Sequence, residues 1–183
     1  MHDELRGRVD SLLDPWTPQL ADDREPYTNH VMRVLLLSDE VARAANGGGT
    51  PPSEREEFLV AGVFHDLGIW SDGTWDYLQP SIERATAHLE SSGKNELVPL
   101  VSAMIDQHHK VRRAGFNDDP VEVFRRADTI DVLLGGRRFG VPLSRYRAIL
   151  REFPDKGFHA SLVRRTFARL GEKPTSPLPM FKL

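Results

Sequence analysis

Seven histidines and no cysteine define the chemistry open to this 183-residue chain. The densest point is His65-Asp66, side by side at the end of the apolar run Ala61-Gly62-Val63-Phe64 and followed by Leu67-Gly68. Imidazole and carboxylate are both good ligands for a divalent ion, and neighbours at a helix end can face one ion without a long loop between them. Gly68 is suited to cap that helix end. Four more residues of the same kind, His30, His88, His108 and Asp128, fall on the apolar sides of predicted helices. With no thiolate available, a metal here must be held by His, Asp or Glu, a donor set that suits Mn, Fe, Co, Ni or Zn. Asp128 is the most telling of the set. Phe124 lies one turn before it and Asp131 and Val132 one turn after, so the spacing turns it to the core. A buried carboxylate without a partner costs several kcal/mol. A metal ion would offset that cost, and so would an arginine or a pair of backbone donors. His109 lies about 100° round the helix from His108, either backing the ligands or facing solvent. His2 and His159 read as ordinary hydrogen-bonded histidines.

The elements that must position these residues are helical. Apolar residues recur at helical spacing over 27–45, with His30 one turn before Val34 on the same side. A short helix over 5–13 and a proline-dotted connector precede it; Gly47-Gly48-Gly49 and Pro51-Pro52 end it. Ser53 reads as an N-cap, with Glu54, Glu56 and Glu57 in the first turn of the helix that ends at His65-Asp66. Trp70, Trp75 and Tyr77 follow in a loop, either lining a pocket beside the pair or packing that loop on the core. Helices over 81–91 and 96–108 carry His88 and His108 inward. Asn117–Asp119 and Pro120 open the helix that carries Asp128, and Gly135-Gly136 closes it. Two further helices, over about 143–153 and 158–170, complete an all-α fold; no stretch alternates with period two. The organisation is one domain over 1–183, with a core at about 27–135, accessory helices over 136–173 and an irregular tail at 174–183.

Composition narrows the functional classes. With 39% hydrophobic and 28% charged residues, the chain is that of an ordinary globule long enough to bury a core. A net charge of −3 gives no general attraction to nucleic acid. The charge is uneven: residues 137–173 carry ten Lys/Arg against three Asp/Glu, and the rest 14 against 24. That reads as a basic face balancing an acidic one, or as a field drawing in an anionic substrate. Residues 1–10 have no signal-type apolar core and no run reaches membrane-spanning length, which predicts a cytoplasmic protein without a membrane partner. Candidate phosphate contacts are Arg33, one turn after His30, and Lys110, Arg112 and Arg113 after His108; Arg137 and Arg138 are weaker. Trp70 and Trp75 could stack on an organic substrate.

The order His, His-Asp, distant Asp resembles the HD-domain superfamily, whose signature lies on a bundle of helices. His30, His65, Asp66 and Asp128 match it, the last in Arg126-Ala127-Asp128-Thr129, which is similar to the family's usual Ala-Asp context. The resemblance covers roughly 27–134. It implies metal-dependent hydrolysis of phosphate esters, often of nucleotides, with His65 and Asp66 at the catalytic centre. Two-metal members carry two extra histidines between the pair and the last Asp; His88 and His108 fall where those would be, and Asp66 would bridge the ions. His109 makes a doubled histidine similar to that of the cyclic-di-nucleotide phosphodiesterase branch, but that branch's Gly-Tyr-Pro motif is absent. Many members have Lys after the glycine of the pair's motif; here it is Ile69, so that lysine's role does not transfer.

The resemblance leaves other chemistries open. A smaller branch, exemplified by myo-inositol oxygenase and phosphonate-cleaving enzymes, uses the same six ligands for di-iron oxygenation of a small organic or phosphonate substrate. Another, resembling cyanamide hydratase, adds water with one zinc. A binding module that had lost turnover would have a substituted ligand, and here the set is complete. The expectation is a hydrolase of a small, anionic substrate, with one or two divalent ions; oligomeric state is left open.

Overall fold

The computed structural model describes residues 2–45, 48–116 and 118–172, without the side chains of 168–172. Among them every regular element is helical, with no strand. In chain order the helices are α1 (His2–Leu13), α2 (Thr17–Leu20), α3 (Arg24–Ala44), α4 (Glu56–Phe64), α5 (Gly68–Ser71), α6 (Leu78–Ser91), α7 (Val98–Gln107), α8 (Pro120–Val132), α9 (Leu143–Glu152) and α10 (Phe158–Glu172). The tail at 174–183 lies outside the described residues.

Helix α3 is the axis. It buries residues all the way round, including polar Thr28, Asn29, His30 and Arg33, as a helix does when neighbours surround it. Its most extensive partner is α8, and α4 lies along another flank; α7 packs on both α4 and α8, closing a ring of four helices. α4 is apolar on every side from Phe58 to Phe64, all buried. Its Gly62 sets the closeness of α3: a Cβ there would lie 3.1 Å from Leu35 Cδ2. α6 covers α7 and α4, while α1 closes the bundle from outside through Leu5, Val9 and Leu13, four residues apart.

Two sequence expectations change at the ends of α4. Ser53 does not cap it: its backbone N–H and Oγ both donate to the Asp39 carboxylate, at 2.8 and 2.7 Å, and 52–54 form a separate 3-10 turn. Gly68 does not end the helix in a left-handed cap either. It opens α5, its N–H donates to Ser81 Oγ at 3.0 Å, and a Cβ would stand 2.6 Å from the Tyr77 carbonyl oxygen. Close approach of α6 explains this glycine, not a positive φ. At α8 the expectation holds. Asp119 accepts from Val121 N at 2.9 Å, ahead of Pro120.

The basic C-terminal third packs against acidic residues of the first part of the chain. Arg145 pairs with Glu40, Arg165 with Asp23 and Lys156 with Glu25, at 2.7, 2.9 and 3.6 Å.

Candidate metal centre

The ring of α3, α4, α7 and α8 brings His30, His65, Asp66, His108 and Asp128 to one point. All five are buried, none more than 3% exposed. Each side chain arrives from an element whose apolar face already points inward. α3 supplies His30, the turns after α4 and α7 supply His65, Asp66 and His108, and α8 supplies Asp128.

The hydrogen bonds fix the tautomers. His65 Nδ1 donates to the Gly62 carbonyl at 2.8 Å, and His108 Nδ1 to the Ile105 carbonyl at 2.6 Å. His30 Nδ1 donates to the Asp131 carboxylate at 2.8 Å. A carbonyl or a carboxylate only accepts, so in the neutral rings all three Nε2 atoms keep a bare lone pair. Yet His30 Nε2 and His65 Nε2 stand 3.0 Å apart. Two lone pairs at that distance repel unless a cation lies against both. Protonation is the other way to relieve them, and burial opposes it: it holds His30 below its ordinary range and pushes His65 down to about 3.

The carboxylates show the same deficit. Asp66 Oδ1, both oxygens of Asp128 and His108 Nε2 are buried without a hydrogen-bond partner. Such atoms are costly in a native interior and call for a missing partner. Asp66 Oδ2 lies 3.5 Å from His65 Nε2 and 3.9 Å from His30 Nε2, while its Oδ1 faces His108 Nε2 at 3.4 Å. Asp128 Oδ1 is 3.7 Å from both His30 Nε2 and His65 Nε2. Burial raises the Asp128 carboxyl to about 8, and the Asp66 charge adds to it. Burial would raise Asp66 too, but the surrounding imidazoles, His65 foremost, hold it down. His108 stays above its ordinary value because Asp66 and Asp128 outweigh burial.

Among the described residues, ligand-competent atoms form two groups, His30–His65–Asp66 and Asp66–His108–His109, which share Asp66. His109 sits at the edge, its side chain 13% exposed, with Nδ1 3.8 Å from Asp128 Oδ2 and Nε2 2.7 Å from Tyr77 Oη. In the tautomer that leaves Nδ1 a lone pair, Nε2–H donates to Tyr77. Burial lowers the His109 pKa well below the usual range, keeping the ring neutral.

His88 is not part of this cluster. It sits at the end of α6, half-buried and stacked on Phe64 at 5.5 Å, in a hollow with Glu4, Arg8 and Lys94. Helical phase put it on the apolar side, but α6 lies outside α4, so its inward face meets the back of α4. The second ligand-competent histidine from this region is His109, which adjacency to His108 had left ambiguous.

Arg33 also has a different task. It is fully buried, its Nε and Nη2 donating to Asp131 at 2.6 and 2.8 Å and Nη1 to the Phe153 carbonyl at 3.1 Å, so it has no surface for a substrate. Asp131, seen in the sequence only as part of a buried face, thereby links Arg33 to His30. The signal was present: an Asp three residues after Asp128, with an Arg three after His30 on the facing helix. Trp70 packs in the core. Its ring meets Tyr27 at 4.7 Å and its Nε1 donates to Asp23 at 2.9 Å. Trp75 and Tyr77 line a cavity of about 410 Å³ that opens from Asp66 and His109. Lys110, half-buried, and Arg112, exposed, are not among its lining residues, and neither are Arg137 and Arg138. Helices of the described residues are nowhere long and apolar enough to cross a membrane.

No protein-family model matches this chain, and no curated protein or solved structure matches it.

Proposed function

We propose that this chain is a metal-dependent hydrolase of the HD-domain type, cleaving a phosphate ester by attack of water. One observation carries the reading: Asp66 stands between two groups of ligand-competent atoms, in a cluster whose facing imidazole nitrogens and unpartnered carboxyl oxygens bound cations would satisfy together. The residues fit such ions by type. They are imidazoles and carboxyl groups with no thiolate, suited to Mn, Fe, Co, Ni or Zn. His30, His65, Asp66 and Asp128 would hold one ion; Asp66, His108 and His109 a second.

A divalent ion at such a site supplies Lewis acidity toward a phosphoryl oxygen and lowers the pKa of bound water from about 15.7 toward 7. The chain's own residues do the rest. Asp131 and the carbonyls of Gly62 and Ile105 aim three Nε2 atoms inward, an orientation that strengthens imidazole ligation. Asp128 can keep its proton in the metal-free protein and release it when the ligands are engaged. The ligand atoms lie in a buried setting, where charge developing on a substrate would be screened less than in water.

Elemental analysis of the purified protein tests this directly. Two ions per chain are expected, falling toward one in His109→Ala and remaining at two in His88→Ala, while Asp66→Ala should lose both metal and turnover of a phosphate-ester panel. No bound metal under any loading condition, or full activity in Asp66→Ala, would sink the reading. A mixed-valent di-iron pair with oxygen uptake would move the assignment to an oxygenase on the same ligands.

A further inference from the structure

The cavity beside the cluster is built for a different kind of molecule than a nucleotide. One end holds Asp66, Tyr77 and His109; the walls are Trp75, Val132, Leu134, Leu162, Val163 and Phe167. Among the described residues no lysine or arginine lines it. Its other polar side chains are already engaged. Thr166 Oγ1 donates to the Leu162 carbonyl at 2.9 Å; His159 bonds through Nε2 to the Asp131 carbonyl at 2.9 Å and through Nδ1 to the Asp155 carboxylate. The apolar surface continues outward, where Leu134, Val163 and Phe167 are 61%, 54% and 68% exposed. Leu134 also holds a positive φ of 51°, a conformation a leucine seldom adopts.

A sugar, a base and further phosphates placed here would leave water for walls that are mainly apolar and carry no lysine or arginine, at a cost of kcal/mol per group. A hydrocarbon or aryl body would gain from every methylene it buries. A volume near 410 Å³ suits one small molecule, and Asp66, Tyr77 and His109 together at one end would orient it with its reacting group toward Asp66. We infer that the substrate is a small monoester with an apolar alkyl or aryl body, seated in the cavity between α8, α10 and the 72–77 loop. The inference rests on the metal-centre reading for the position of the head group, but the cavity is probed independently.

The test is calorimetric titration with n-alkylphosphonates from methyl to octyl, which do not turn over, with adenosine 5′-monophosphate as the polar comparison. Affinity should rise about two- to fourfold per methylene until the chain outgrows the cavity, and the nucleotide should bind no better than methylphosphonate. Val163→Asp, at an exposed position where folding is not at risk, should remove that slope. Repeating the series on metal-stripped protein separates the two ideas. Loss of the head-group anchor lowers every affinity and leaves the slope, whereas a flat series on metal-loaded protein overturns the cavity assignment alone. A nucleotide that binds more tightly than octylphosphonate would overturn it too. So would a concentration-dependent dimer in which the slope vanishes, since that gives the apolar rim to a second copy.

Discussion

Asp131 shows how a residue outside the candidate ligands orients one of them. Its two oxygens accept from Arg33 and from His30 Nδ1, and they do so with no exposure to solvent. The carboxyl is kept ionised, far below its ordinary range, because His30 and Arg33 together outweigh burial. That arrangement fixes both the tautomer and the plane of the His30 ring. Asp131→Asn should weaken metal binding by about 10–100-fold, measured by competition with a chelator of known affinity. Unchanged affinity would mean that packing alone orients His30, through Phe158, whose ring stacks on it at 4.1 Å. The contrast with Asp128 is physical. Both are buried on α8, but Asp131 has an arginine and an imidazole donor while Asp128 has no donor at all.

At the scale of elements, the turn after α4 decides where His65 and Asp66 sit. His65 and Asp66 leave the helix just before Gly68, and α6 approaches so closely that the Tyr77 carbonyl occupies the space a side chain at 68 would need. The same approach brings Tyr77 Oη to His109. Gly68→Ala should therefore destabilise the protein by about 1–3 kcal/mol, as overpacking does, in a urea unfolding curve. It should also displace Tyr77 and loosen its hold on His109. A neutral result would show that the 68–77 segment has room to shift. The α3–α8 pairing acts at the same scale, since it sets His30 against Asp128 and Arg33 against Asp131 in a single interface.

Across the whole molecule, the cluster concentrates a cost that a bound metal would relieve, and pH exposes it. In the metal-free protein the Asp128 carboxyl goes from its ordinary 3.8 unfolded to about 8 folded. The folded state then holds more protons over that window, so stability falls as pH rises through it, by at most about 1.4 kcal/mol per unit for one group. His108, raised by the two carboxylates, contributes in the same direction. His30, His65 and His109 are lowered by burial, so their cost appears only as pH falls below 6.5. Between pH 6.5 and 8 the Tm of chelated protein should fall, Asp128→Asn should flatten the fall, and added divalent ion should reverse it. Binding that releases protons is tighter at higher pH, and it stabilises by mass action. A Tm independent of pH over this window in the chelated parent would show Asp128 ionised throughout.

Residue type and helical period were enough to read an all-α chain, the inward faces carrying His30, His65, Asp66, His108 and Asp128, and the absence of thiolate ligands. These are local properties: a stripe at 3.6 residues per turn has the same phase wherever its helix packs. What local phase leaves open is which neighbour an inward face meets. His88 points inward from a helix that lies behind α4, His109 reaches the cluster from a turn rather than a helix face, and Arg33 meets Asp131 instead of solvent. The exchange of His88 for His109, the buried Arg33–Asp131–His30 chain and the apolar cavity all depend on contacts between residues far apart in the chain. Their distances come from how α3, α6, α8 and α10 pack, and the tertiary structure alone decided them.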